Sequence, residues 1–274
     1  MPLPYVHIPD GHLGPVPIHP FGVLVATAVL IGSSLMARRA ERFGIARAKF
    51  ETVVSYVLVF GFVISHVLDE LMYRPREVLH NPLQLLKIWA GISSFGGFIG
   101  GVVGALVYGY VKKEKVLPYL EHVAAVFPIA WIFGRAGCSV AHDHIGRVST
   151  SFLAVNFPGG PRFDLGLLEM LATIPIAALT VWFASKPRRP GEILALVAFV
   201  YAPIRFVLDA LRAVDIANPD ARYVGLTPGQ WLSIALLLVA GALWLHARGK
   251  PPLVALAKKP VEPLPGASTL PNVP

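Results

Sequence analysis

Two short runs of this chain place chemically capable side chains in surroundings too apolar for water. Residues 134–147 read GRAGCSVAHDHIGR and begin at the end of an apolar stretch; residues 205–212 read RFVLDALR and lie inside one. An ionisable group at membrane depth costs about 2.5–3.5 kcal/mol or more, so it is expected to be paired or to have a function. Arg135, next to Gly134, carries a guanidinium that can hold a phosphate bidentately or can snorkel to the membrane interface. Arg205, Asp209 and Arg212 are spaced four and three residues apart on one helical face, which permits Arg–Asp–Arg pairing. That is either a neutralised structural network or a positive pocket held by Asp209. Cys138 is followed by the triplet His142-Asp143-His144. These residue types can ligate a transition metal, move protons near neutral pH, or simply occupy an exposed loop. His66 and Asp69, three residues apart in another apolar run, add a histidine and a carboxylate.

The run SSFGGFIGGVVGALVYG carries Gly96, Gly97, Gly100, Gly101 and Gly104. Glycines at this spacing let helices approach closely. The Ser-Ser-Phe-Gly-Gly start could instead open a helix and leave backbone N–H groups of Gly96 and Gly97 facing an anion.

Membrane helices carry these groups. Only 15% of residues are charged against 55% hydrophobic, well below the roughly 25% charge of a soluble domain, so a water-soluble core is excluded. A spanning helix takes about 20 apolar residues. Seven such spans are predicted, near 18–37, 51–73, 92–111, 118–137, 165–185, 191–211 and 228–247. The fold class is an all-α polytopic membrane protein. The net charge of +8 sits in short clusters between apolar runs, which fits membrane orientation and not a nucleic-acid surface. The clusters are Arg38 to Lys49, Lys112 to Lys115, Lys186 to Arg189, and Arg248 onward, whereas the basic residues of the other connections are scattered singly. The clustered side is expected to be cytoplasmic, putting the N-terminus outside and the C-terminus inside. The N-terminal residues lack the basic and apolar regions of a cleavable signal peptide. Residues 1–249 are read as one membrane domain, and 250–274, rich in Pro and small residues, as a disordered cytoplasmic tail. The single cysteine excludes an intramolecular disulfide.

The order of motifs resembles the bacterial prolipoprotein diacylglyceryl transferases over about residues 10–247. GPVPIHPFGVL looks like the family's Gly-Pro…Ile-His-Trp-Tyr-Gly start, and KIWAGISSFGGFIGG like its Trp-x-Gly-Gly-Met-Ser-Phe-His-Gly-Gly segment. GRAGCSVAHDHIGRV stands in place of the signature Gly-Arg-x-Gly-Asn-Phe-x-Asn-x-Glu-x-x-Gly-Arg. PRFDLGLLE matches Arg-His-Pro-x-Gln-x-Tyr-Glu at its ends, RFVLDALRAVD resembles Arg-x-x-x-Glu-x-x-Arg-x-x-Asp, and LTPGQWLSI resembles the start of the last helix.

The resemblance implies transfer of the diacylglyceryl group of phosphatidylglycerol to a lipobox cysteine thiol in a lipoprotein precursor, with glycerol 1-phosphate leaving. It implies a multi-pass protein of the bacterial inner membrane. Its partners would be membrane lipid and the precursor's signal peptide, with no nucleic acid and no cofactor or metal. Arg135 and Arg205 match arginines that serve the phospholipid; Gly134, Gly146, Arg147, Arg162, Glu169 and Arg212 also fall on matching positions. The chain departs from the pattern at Phe21 for a tyrosine, Phe95 for a histidine, Cys138 and Ala141 for asparagines, Asp143 for a glutamate, and Phe163-Asp164 for His-Pro. On this reading Arg135 and Arg205 hold phosphate, Asp209 orients an arginine, and His142 or His144, with Asp143, supplies the missing base. Gly96, Gly97, Gly134, Cys138, Arg147, Arg162, Glu169, Asp209 and Arg212 contribute to substrate binding. The alternatives are a transferase with another acceptor, or a non-catalytic lipid- or metal-binding protein on the same scaffold. A transporter fits less well, since the charges gather toward one side and not at midplane.

Overall fold

The computed structural model describes residues 1–14, 16–87, 93–217, 219–220 and 222–253. Its framework is seven long helices: α1 (Pro20–Arg42), α2 (Arg47–Tyr73), α4 (Ser94–Lys112), α5 (Leu117–Ala141), α6 (Leu165–Ala184), α7 (Glu192–Ala210) and α8 (Pro228–Ala247). Six of these are long and apolar enough to cross a membrane, and α4 contributes a shorter apolar stretch, Gly96–Lys112. A short helix α3 (Pro75–His80) follows α2. Each expected span falls on one helix. The start of the third, at residue 92, lies outside the described residues, as do 88–91 of the KIWAGI motif and residues 254–274 of the expected tail.

The small sheets are what the helix pattern did not announce. A hairpin pairs β1 (Gly11–Leu13) with β2 (Val16–Ile18), and β3 (Ile145–Val148), β4 (Ala154–Phe157) and β5 (Gly160–Asp164) form an antiparallel sheet in the order β3-β5-β4. The connection 138–164 between the fourth and fifth expected spans is therefore an extension of α5 followed by this sheet. The free edge of β4 is paired by the N-terminal arm: Leu3 N donates to Ala154 O at 2.6 Å, and Asn156 N to Leu3 O at 2.9 Å. On the other side, β3 is pinned to the end of α7 by Arg147 N to Leu211 O, 2.8 Å, and Ala213 N to Ile145 O, 3.2 Å.

The glycine run sets the distance between α2 and α4. A Cβ on Gly100 would stand 2.3 Å from Phe60 O, and one on Gly104 2.4 Å from Tyr56 O, so the α2 backbone occupies the space a side chain would need. A Cβ on Gly96 would likewise lie 2.7 Å from Ser65 Cα. The Gly96 N–H donates to Ser93 Oγ at 3.3 Å and that of Gly97 to Ser93 O at 2.9 Å. Both amides are used in the helix's own first turn. This corrects the anion-cradle expectation for Gly96 and Gly97 in favour of helix packing.

At the end of the bundle remote from the sheet, buried Glu121 of α5 accepts from Ile193 N and Leu194 N, each at 3.1 Å, and so caps α7. Leu253 N donates to Arg188 O at 2.7 Å, so the first residues of the expected tail run along the α6–α7 connection. Glu121 and Arg135 are on the same helix, about 21 Å apart along its axis, which separates this cap from the charged site.

Candidate active site

The site begins with how three helices are aimed. The last turns of α5 carry Arg135 and Cys138, the first turns of α6 carry Glu169, and the last turns of α7 carry Tyr201, Arg205 and Asp209. Asp164 opens α6 as its N-cap, accepting from Leu167 N at 3.0 Å, and this fixes the helical phase on which Glu169 faces inward. Gly166 lets that first turn press against α5: a Cβ there would be 2.8 Å from Ser139 N and 3.0 Å from Cys138 Cβ.

Glu169, 1% exposed, is the centre of the site. Arg135 Nε faces its Oε1 at 3.0 Å as an ion pair, and Arg205 Nη1 donates to Oε2 at 2.5 Å. Tyr201 OH and Trp131 Nε1 also donate to Oε1, at 2.5 and 3.2 Å. The Arg135 guanidinium also lies over the Trp131 ring, 4.5 Å from its centroid, a cation–π contact worth about 0.5–2 kcal/mol. Buried charge is tolerable here because the carboxylate sits between two cations and two neutral donors.

Asp209 forms a second layer. Arg205 Nη2 and Arg212 Nε both meet its Oδ1 at 2.9 Å, so the Arg–Asp–Arg pairing expected from spacing is present. Its other oxygen accepts from Thr227 Oγ1, the capping residue of α8. A Cβ on Gly229 would lie 2.6 Å from that same oxygen, so only glycine lets the carboxylate rest on the α8 N-terminus, where the helix dipole favours it. Arg212 reaches on to Asp220 at 2.7 Å.

The remaining expected residues divide. Cys138 receives a long hydrogen bond from Arg135 Nη1 at 3.6 Å. Ligand atoms of Cys138, Asp143 and His144 all lie within 4.8 Å of one another, and His144 Nδ1 is 3.1 Å from Asp143 Oδ1. Burial, and then the charge of Arg135, push the His144 imidazole down to about 4, so it is neutral at physiological pH. His142 is not part of this group. It takes a left-handed conformation at the end of α5 (φ 52°), which turns its ring away, and its Nδ1 meets Asp164 Oδ2 at 2.6 Å. Its Nε2 meets Val6 O at 3.1 Å, and Tyr5 stacks on it at 4.2 Å. His142, read from the sequence as one of two candidate bases, has its ring clasping the N-terminal arm.

Arg147 and Arg162 are also committed elsewhere. Arg147 donates to Ala210 O, and Arg162 binds Asp215 through both terminal nitrogens at 2.9 and 2.6 Å. They fasten the sheet to the end of α7 and the segment after it. Gly146 allows Phe163 to cross at a distance a Cβ would reduce to 2.8 Å, whereas nothing crowds Gly134. Asp69 pairs with Arg74 at 3.4 Å, and His66 is buried in α2. Trp131 and Tyr201 were not singled out by sequence, although each stands four residues before an arginine of the site, the spacing that puts them on its face.

A family model described as prolipoprotein diacylglyceryl transferase matches residues 11–246. The chain is 30% identical over 250 residues to the phosphatidylglycerol–prolipoprotein diacylglyceryl transferase of Bordetella bronchiseptica, covering 88% of this chain and 94% of that one. It is 29% identical to a protein of the same name from Acinetobacter baumannii, covering 85% and 89%. A third, from Chromohalobacter salexigens, is 28% identical over 87% and 91%. The match runs through every helix that carries Arg135, Glu169, Arg205 and Asp209, and the chain belongs to the prolipoprotein diacylglyceryl transferase family.

Proposed function

We propose that this chain transfers the diacylglyceryl group of phosphatidylglycerol to the cysteine thiol of a lipoprotein precursor, at the outer side of the bacterial inner membrane. The observation that carries the reading is the convergence of Arg135 and Arg205 on Glu169, backed by Arg212 on Asp209, in a chain of this family. Displacing a phosphate ester needs positive charge where the leaving phosphate gathers it. Arg205 and Arg212 keep 14% and 18% of their side chains exposed while Arg135 keeps 2%, so phosphate meets Arg205 and Arg212 first and Arg135 supports them from behind. Glu169 and Asp209 hold the guanidiniums in place without a substrate, so little reorganisation is needed when one binds. The thiol must also become a thiolate, and this falls to the Cys138–Asp143–His144 group beside Arg135.

The basic clusters between helices support an orientation with the sheet and the charged site outside and the C-terminus in the cytoplasm. Single cysteines placed near Arg188 or Asp220 in a Cys138→Ala background test it with an impermeant thiol reagent: the site near Asp220 labels from outside, and the reverse pattern would overturn the orientation. The function itself is tested by rescue of a strain depleted of its own diacylglyceryl transferase. Growth with the wild-type chain and none with Arg205→Ala is expected. Membrane-inserted protein that never rescues would favour a non-catalytic lipid-binding role.

A further inference from the structure

We propose that Cys138, Asp143 and His144 bind one zinc ion, whose open fourth position takes the acceptor thiolate. The site stands on geometry alone; only the identity of the fourth ligand rests on the transferase reading. A thiolate sulfur, an imidazole nitrogen and a carboxylate oxygen suit zinc, and three protein ligands with one open position are the pattern of catalytic zinc. The three ligand atoms lie within 4.8 Å of one another, and His144 Nδ1 is 3.1 Å from Asp143 Oδ1. Zinc–nitrogen and zinc–oxygen bonds of 2.0–2.1 Å give a tetrahedral edge of about 3.3 Å, so that pair is already at chelating separation. The sulfur, within 4.8 Å of both, needs to close in by at most about an ångström.

The backbone around the three is fixed from both sides. Gly166 packs against Cys138, and Leu165 N donates to His144 O at 2.9 Å, so the start of α6 anchors both ends of the ligand set. The left-handed turn at His142 swings its own ring to Asp164 and brings residues 143 and 144 back over Cys138. Cys138 is buried, while the Asp143 side chain is 43% exposed, so the open position lies on the accessible side. A thiolate and a carboxylate together neutralise the ion, which removes its repulsion with Arg135. The Arg135 N–H aimed at Cys138 Sγ would then support a zinc-bound sulfur, as outer partners of metal ligands do.

The chemistry fits a thiol acceptor. A coordinated thiol loses its proton, here to water. The resulting sulfur forms a C–S bond to the glyceryl carbon while the C–O bond to phosphate breaks. The bonding pair departs on the phosphate oxygen, toward Arg205 and Arg212. The thioether formed is a poor zinc ligand and leaves. His144 is then a ligand and not the proton acceptor, and a base in the place of Phe95 is unnecessary.

The test is metal analysis of the full chain purified in detergent, chelated, and reconstituted with Zn2+ or Co2+. The expected result is near one zinc per chain and, with cobalt, a thiolate-to-metal absorption band. Cys138→Ser should abolish the band. Asp143→Asn and His144→Ala should weaken affinity by more than the ~10–100-fold that losing an outer partner costs. His142→Ala should keep the metal. Helical content and elution volume check that each variant is folded, and the half-exposed Asp143→Asn is the mildest. Wild-type protein that takes up no metal, or metal that survives Cys138→Ser and Asp143→Asn alike, would overturn the proposal. Full-rate transfer by chelated, metal-free protein overturns the thiolate-binding role of the zinc and keeps the transferase; zinc-loaded protein that transfers nothing does the opposite.

Discussion

Arg205 Nη1 stands 2.5 Å from Oε2 of Glu169, while the other oxygen of that carboxylate faces Arg135 at 3.0 Å. One buried side chain of α6 thus fixes the cations of α5 and α7. Removing it leaves the buried Arg135 guanidinium without its carboxylate and Arg205 held by Asp209 alone, a loss of about 3–5 kcal/mol. Glu169→Ala is therefore expected to lower the thermal midpoint in detergent sharply, with Glu169→Gln between it and wild type. An unchanged midpoint for Glu169→Ala would show that the three helices are held by something else.

The arginines should separate by role. Arg135→Ala and Arg205→Ala are expected to weaken phosphatidylglycerol binding by at least tenfold, about 1.4 kcal/mol. Arg147→Ala, whose side chain ties β3 to Ala210 O, should cost stability with little change in lipid affinity. Titration of each variant with lipid in mixed micelles checks this. Equal losses of affinity in all three would contradict the assignment.

The two histidines of the triplet should part in the same way. His142→Ala loses the contacts to Asp164, Val6 O and Tyr5, so the N-terminal arm should become more sensitive to protease while transfer persists. His144→Ala should leave the arm protected and abolish transfer. Limited proteolysis beside an activity assay reads both, and a swap of the two phenotypes would reverse the roles.

Helix packing offers a prediction independent of chemistry. Gly100→Ala would put a Cβ 2.3 Å from Phe60 O, so α2 and α4 must move apart. Gly101→Ala meets only Val57 Cγ1 at 3.5 Å, an ordinary contact. The first should lower the thermal midpoint and the second should leave it nearly unchanged; similar midpoints would mean that the close approach is not stabilising.

The long helices were legible because each is a run of apolar residues of spanning length, and the Arg205–Asp209–Arg212 network because its spacing is that of a helix face. The sheet in 138–164 was not, since its short strands, Ile145–Val148, Ala154–Phe157 and Gly160–Asp164, are interrupted by turns and carry no long alternation. Glu169 as the meeting point of two arginines depends on three helices packing together, which no local spacing encodes; only the family resemblance marked it. His142 reads from the sequence as one group with Asp143 and His144, yet only those two gather at Cys138. A single left-handed residue sends neighbours in opposite directions. The polar Gly96-Gly97 start misled because Ser93 satisfies both amides within the chain.

Transfer chemistry at the arginine site is tested with purified protein. The full chain is mixed with phosphatidylglycerol labelled in its diacylglyceryl part and a lipobox peptide, and the peptide is weighed by mass spectrometry. A diacylglyceryl thioether is expected on the peptide cysteine, none on a Cys→Ser peptide, and a loss of at least about 100-fold in rate, some 2.7 kcal/mol, with Arg205→Ala. Folded wild-type protein that binds the lipid and leaves the peptide unmodified would contradict this chemistry.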